Sequence, residues 1–152
     1  MTEAAAKAPR RKPGGSKRHH ARRFAVQALY GHLLADTAVN DLLVNFRREE
    51  NFDRGDAEYF DQLVRGALDE RAQLERCFAP YLDRPVAQLD PVEHAILLLA
   101  AYELQHCPEL PYRVAINEAV ELTKLFGATE GHKYINGVVD RMARKLRAAE
   151  TG

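Results

Sequence analysis

The chain reads as an all-α protein of six or seven helices around a central apolar helix. Three observations predict this. Apolar residues recur at three- and four-residue spacing from Val26 onward. Helix-starting and helix-stopping residues punctuate those stripes, and no segment shows strand alternation or a hairpin turn.

Residues 1–16 are small, charged or helix-breaking, with Pro9, Pro13, Gly14 and Gly15 among them. Almost nothing there has apolar surface to bury, so a disordered basic tail is expected. A folded domain over 17–147 should follow, and residues 148–152 should fray. Ser16 is the expected cap of a first helix that carries Val26, Leu29 and Leu33 and runs to about Leu34. Val39, Leu42, Leu43 and Phe46 predict a short second helix. Asp53-Arg-Gly-Asp56 reads as a turn ending in a capping aspartate. Phe60, Leu63, Val64, Ala67, Leu74 and Phe78 then form one long stripe, broken by Pro80 and Pro85.

Asp90-Pro91-Val92-Glu93 is the clearest helix start: a capping acid, proline at the first helical position, and a glutamate placed to reach back to the cap amide. The helix behind it, to about His106, is apolar on nearly every side and should be buried with others packed around it. Pro108 and Pro111 end it. Arg113 to Phe126 is a further amphipathic helix, closed by Gly127. The last carries Ile135, Val138, Val139, Met142 and Leu146.

The formal net charge of zero conceals a division. Residues 1–23 hold eight lysines and arginines against Glu3 alone, so the remaining chain is acidic by the same excess. A basic end on an acidic body suits a polyanion at one place and a basic partner at another. No apolar run is long enough to span a membrane, and no apolar stretch follows the basic N-terminus as in a secretory signal. Cys77 and Cys107 stand apart and read as small hydrophobes in a reducing, cytoplasmic setting.

Catalytic templates are absent: no GxGxxG, GxxxxGK[ST], HExxH, CxxC or GxSxG occurs. None of the six histidines pairs with another at the i, i+4 spacing that shares a metal, so no metal site is expected. Glu118 and Glu121 read as a solvated face. No enzyme activity, catalytic residue or cofactor is expected.

On an ideal helix His19, Arg23, Gln27 and Tyr30 share one strip away from the Val26/Leu29/Leu33 face. Cations, an amide and a phenol together offer phosphate contacts, hydrogen bonds to bases and a stacking surface. The segment 127–134 (Gly-Ala-Thr-Glu-Gly-His-Lys-Tyr) is a second candidate. It opens a helix whose free amides attract anions, and it brings His132, Lys133 and Tyr134. A plain capping loop accounts for it equally well, with Thr129 as the cap.

Four blocks in register resemble the NusB antitermination factors: Ala25-Val-Gln-Ala-Leu-Tyr30; Val92-Glu-His-Ala-Ile-Leu with Ala101-Tyr-Glu-Leu104; Val114-Ala-Ile-Asn-Glu-Ala-Val-Glu-Leu122 with Phe126-Gly127; and His132-Lys-Tyr-Ile-Asn-Gly-Val-Val139. The resemblance covers about residues 17–147. It implies two packed helical sub-bundles. It also implies a non-catalytic adaptor that binds boxA-type single-stranded RNA of ribosomal RNA transcripts. The implied partners are the ribosomal protein NusE and, with other Nus factors, the elongating RNA polymerase.

Carried over by motif, the RNA-binding residues are Arg18, Arg22, Tyr30, Glu130, His132, Lys133 and Tyr134. Arg23 and Gln27 join them from the helical strip. The protein-partner face points to Glu93 and Glu103. The chain departs from the family at His19 and His20, where arginines are commoner, and at Tyr134, where phenylalanine is usual. Its tail is also longer. Either a monomer or a homodimer is compatible with the resemblance. Two other readings stay open. One is an RNA-binding module like the N-terminal domain of ribosomal RNA cytosine methyltransferases, although no methyl-donor domain accompanies it. The other is a protein-only helical adaptor.

Overall fold

A computed structural model describes residues 15–127 and 130–151; of the disordered tail expected over 1–16, residues 1–14 lie outside the described residues, while Gly15 and Ser16 already belong to the first helix, so Ser16 is not its cap. Eight α-helices occur among the described residues: α1 (Gly15–Ala35), α2 (Val39–Phe46), α3 (Ala57–Asp69), α4 (Arg71–Phe78), α5 (Pro91–His106), α6 (Tyr112–Phe126), α7 (Gly131–Leu146) and the single turn α8 (Ala148–Thr151). Short 3₁₀ turns at Phe52–Arg54, Ala79–Tyr81 and Val86–Gln88 link them. No described helix is long and apolar enough to cross a membrane.

Helix α5 is the hub, packed against α1, α3, α4, α6 and α7. Every residue from His94 to Leu104 is buried, because neighbours cover all its sides. Burying one leucine stabilises a fold by about 1.5–3 kcal/mol, so this helix holds two groups together: α1–α3 on one side, α4, α6 and α7 on the other. One continuous apolar core serves both. The small residues Ala21, Ala25 and Ala28 are fully enclosed on α1 and let its backbone approach α3 and α5 closely.

Local signals hold at the strong caps. Asp56 accepts from the Tyr59 amide at 3.0 Å, and Asp90 accepts from those of Val92 and Glu93 at 2.8 and 3.3 Å. Elsewhere tertiary structure intervenes. The long stripe after Asp56 divides at Glu70 (φ −110°, ψ 23°), where acids crowd the negative end of a helix. Glu70 instead meets His106 Nε2 at 2.7 Å. The break redirects α4 so that Leu74 and Phe78 reach the core beside α5.

The expected frayed C-terminus is corrected. Arg147 donates to the carbonyls of Leu104 and Cys107 at 2.8 and 2.9 Å, and Glu150 accepts from the Tyr112 amide at 3.0 Å. These bonds satisfy orphan carbonyls at the end of α5 and an orphan amide at the start of α6, and so dock α8. Cys77 and Cys107 are both free thiols, Cys107 buried and Cys77 half-buried.

Candidate nucleic-acid interface

Helix α1 presents its polar strip on the side away from α3 and α5. Gln27 and Tyr30 are exposed, Tyr30 at 37%, enough to leave a ring face open for stacking. Arg18 and Arg23 are half-buried. The Arg18 guanidinium lies 4.2 Å from the Tyr59 ring centroid, and Nη1 stands 3.9 Å from Glu109. At 1.5 Å per residue, Arg23 and Tyr30 mark a strip about 10 Å long.

His19 does not share that freedom. Its Nδ1 meets Glu118 Oε1 at 2.9 Å, which also turns Glu118 toward α1 and out of the solvated face expected for it. Two further residues lie inside the protein. Arg22 is 3% exposed and Glu103 is 1% exposed, with Arg22 Nε donating to Glu103 Oε2 at 2.8 Å. The Tyr59 hydroxyl donates to the same carboxylate, and Glu118 Oε1 stands 3.7 Å from Arg22 Nη1.

Burial works against the charge on Arg22, but the Glu103 carboxylate outweighs it and the net shift is upward. Burial likewise pushes Glu103 up, partly offset by Arg22 and Tyr59. Placed as they are, Arg22 offers no free fork to a phosphate and Glu103 no free carboxylate to a protein. Each is the other's partner, a correction to the roles the resemblance implied. The reason is tertiary: α1 lies directly on α5 here.

The second segment opens α7, with Gly131 set against Glu93 and Thr123. Gly127 closes α6 with extended backbone (φ −100°, ψ −171°) rather than the left-handed turn expected of a terminal glycine. Glycine is needed for space, since a Cβ would meet the Thr123 carbonyl at 2.9 Å. Thr129 lies outside the described residues. Glu130 and Lys133 are exposed and paired at 3.1 Å, and His132 is half-buried.

Tyr134 turns elsewhere. Its hydroxyl accepts from the Asp83 amide at 3.2 Å, and the Arg84 guanidinium lies 5.0 Å from its ring centroid. Arg84 therefore covers the ring that sequence reasoning left open for a base. Glu93 sits half-buried at the start of α5, its Oε2 3.0 Å from where a Cβ on Gly131 would stand. Burial and nearby Asp90 raise its pKa.

Two clefts flank the α1 strip. One, of about 350 Å³, is lined by Val26, Gln27, Tyr30, Val92 and Phe126, so Tyr30 faces the start of α5 and the end of α6. The other, of about 240 Å³, lies between α1 and the turn after α2, with His20, Arg23, Gln27, Asn51 and Arg54 on its walls. Arg54 and Asn51 were invisible as site residues in the sequence, where they read as parts of a turn. Only packing against α1 brings them beside Arg23.

A family model described as the NusB family matches residues 19–144. The chain belongs to the NusB family. Among curated relatives, the transcription antitermination protein NusB of Ralstonia pickettii is 47% identical over 150 residues, covering 99% of this chain and 97% of the relative. That of Thiobacillus denitrificans is 50% identical over 130 residues, covering 86% and 90%. Of solved structures, T. maritima NusB superposes with a TM-score of 0.76 at 27% identity, covering 89% of this chain and 93% of that one. A NusB solved with NusE and double-stranded RNA shares the fold, with a TM-score of 0.72 at 23% identity and coverage of 84% and 96%. The NusB fold thus accounts for the all-helical architecture and for the shared blocks on α1, α5, α6 and α7.

Proposed function

We propose that this NusB-family chain is a non-catalytic RNA-binding adaptor of transcription antitermination in the cytoplasm. It recognises boxA-type single-stranded RNA of ribosomal RNA transcripts together with NusE, on elongating RNA polymerase with other Nus factors. The observation that carries the reading is the outward strip Arg23, Gln27 and Tyr30 on α1, with Arg18 beside its N-terminal end and exposed Glu130 and Lys133 at the start of α7 as a second polar surface. Its cations supply phosphate attraction and counterion release, while Tyr30 and Gln27 supply stacking and base-edge contacts. His132 contributes from the first turn of α7.

Arg22 serves as a positioning residue that fixes α1 on α5. Glu93, half-buried at the start of α5, serves as part of the NusE-facing surface. The relatives' printed role in transcription antitermination and a NusB solved with NusE and RNA support the partners. They favour this reading over a methyltransferase module. The RNA-binding unit is the domain over 17–147, acting as a monomer or a homodimer.

The mechanism is coincidence recognition: two weak surfaces, one on each protein, act on one RNA as a single tighter one. The test is equilibrium binding of a labelled boxA-like RNA and a scrambled control, with and without NusE, at two salt concentrations. Preference for the boxA-like RNA, sharpened by NusE, is expected. Equal, salt-labile binding of both RNAs under every condition would reduce the surface to a basic tail on a helical bundle.

A further inference from the structure

We propose that the cleft between the last turn of α4 and the last turn of α7 docks an acidic peptide segment of another protein, with a large apolar side chain of that segment seated on its floor. The site stands apart from the α1 strip and does not depend on the RNA-binding reading. Helices α4 and α7 belong to the group held on the other side of α5 from α1.

The cleft encloses about 360 Å³ between α4, the turn Ala79–Tyr81 and the end of α7. Its floor is apolar. Cys77, Tyr81 and Leu146 are half-buried and pack against the core, with exposed Pro80 at the edge. Burial pushes the Cys77 thiol up, so it stays neutral. Arg76 from α4 and Lys145 from α7 are both exposed and bring one cation from each helix. Gln73 completes the lining, so no acid shares the space with them.

The acids nearby are committed elsewhere. Glu75 holds Arg71 at 2.8 Å and His94 at 2.7 Å, Asp140 holds Arg144 at 3.0 Å, and Glu150 holds Arg147 at 2.6 Å. Among the described residues no carboxylate comes within ion-pair distance of Arg76 or Lys145, so both cations stay uncompensated. Beyond residue 23 the chain is acidic overall, which makes this hollow a local reversal of sign. Such a reversal attracts a segment of opposite charge and turns away basic ones. RNA fits it less well, because the floor offers aliphatic surface and a half-buried Tyr81 rather than an open ring face.

The walls are in place before a partner arrives. Leu74 and Phe78 are fully buried on the inner side of α4. Arg147, next to Leu146, donates to the carbonyls of Leu104 and Cys107 and so anchors the end of α7. A preformed site loses little to ordering when it binds.

The test uses the full chain and two fluorescein-labelled peptides, acetyl-Glu-Glu-Leu-Phe-Glu-Glu and a control with lysine in place of every glutamate, titrated by anisotropy at two salt concentrations. The acidic peptide should bind more tightly than the control, and less so at high salt. Replacing its Leu-Phe by Ser-Ser should remove most of the binding. Arg76→Ala and Lys145→Ala should each weaken it by up to about fivefold, the usual effect of one exposed ion pair. Arg76→Glu with Lys145→Glu should abolish the preference, while the thermal melt and the affinity for the boxA-like RNA stay unchanged. An acidic peptide that binds no better than the control would overturn the site. So would equal binding to the doubly reversed chain, which would place the peptide on the basic end of α1. Loss of boxA-like RNA affinity in that chain would make the cleft part of the RNA path instead. A concentration-dependent dimer, lost in the same variant, would seat a second copy of the chain there in place of an acidic partner.

Discussion

Arg22 Nε and Glu103 Oε2 lie 2.8 Å apart with both side chains almost wholly enclosed, joining the basic end of α1 to the centre of α5. The Tyr59 hydroxyl from α3 closes the same carboxylate, so three helices meet at one charge. Such a pair adds little net stability over apolar residues, because desolvating two ions offsets their attraction. Its role is to fix where α1 lies. A rotation of α1 would strand both charges.

Removing one partner should therefore cost far more than removing both. Arg22→Met is expected to destabilise the fold by about 3–5 kcal/mol, since it leaves Glu103 buried and uncompensated. Arg22→Met with Glu103→Leu should recover most of that loss. Urea unfolding of the two singles and the double closes the cycle, and simple additivity would mean that the pair is not coupled.

Tyr30→Ala is expected to weaken RNA binding by about 1–3 kcal/mol, the usual worth of a base stacked on an aromatic ring, and Tyr30→Phe to leave it nearly unchanged. Lys133→Ala should instead reduce the salt slope by about 0.7, the worth of one single-strand phosphate contact, with little change in sequence preference. If Tyr30→Phe were as damaging as Tyr30→Ala, the hydroxyl rather than the ring face would be the contact.

Gly66 in α3 gives a test independent of function. A Cβ there would meet the Tyr102 ring at 2.2 Å. Helix propensity alone predicts that alanine gains about 1 kcal/mol over glycine. Because Tyr102 is buried and its hydroxyl accepts from Gln62 at 3.2 Å, the ring has little room to yield. Gly66→Ala should therefore cost about 1–3 kcal/mol, and Tyr102→Leu in the same chain should restore part of it. A thermal melt in which Gly66→Ala gains stability would contradict this packing.

Stability should fall on acidification. His94 is buried beside Phe78, and burial holds its pKa below the ordinary 6.5 despite Glu75 at 2.7 Å. The unfolded chain then binds that proton more readily than the folded one. Stability is lost as the pH drops from 6.5 through the folded-state value. Glu75 acts in the same direction lower down. Burial would raise its pKa, but Arg71 and His94 outweigh that and hold it below 4.5, so its contribution is complete above 4.5 and lost as the pH falls through its folded value. Urea midpoints between pH 7.5 and 5.5 should decline in the wild type and decline less in His94→Gln. An equal decline in both would locate the titrating group elsewhere.

Much of this protein follows from local chemistry that needs no partner. Asp56 and Asp90 cap helices because a carboxylate satisfies free amides within three residues of itself. Val26, Leu29, Ile96 and Val138 mark buried faces because helical spacing puts them there. The blocks around Tyr30, Glu93, Asn117 and Lys133 carried the family resemblance by residue order alone. Tertiary structure decided which polar residues remain available. Arg18, Arg22 and Arg23 differ by a few positions on one helix. Yet Arg22 is sealed against Glu103, Arg18 rests on Tyr59, and Arg23 faces a cleft completed by Arg54. Helical periodicity sets the angle of each side chain about its own axis. Which angle meets protein and which meets solvent depends on where α3, α5 and the turn before α3 come to rest.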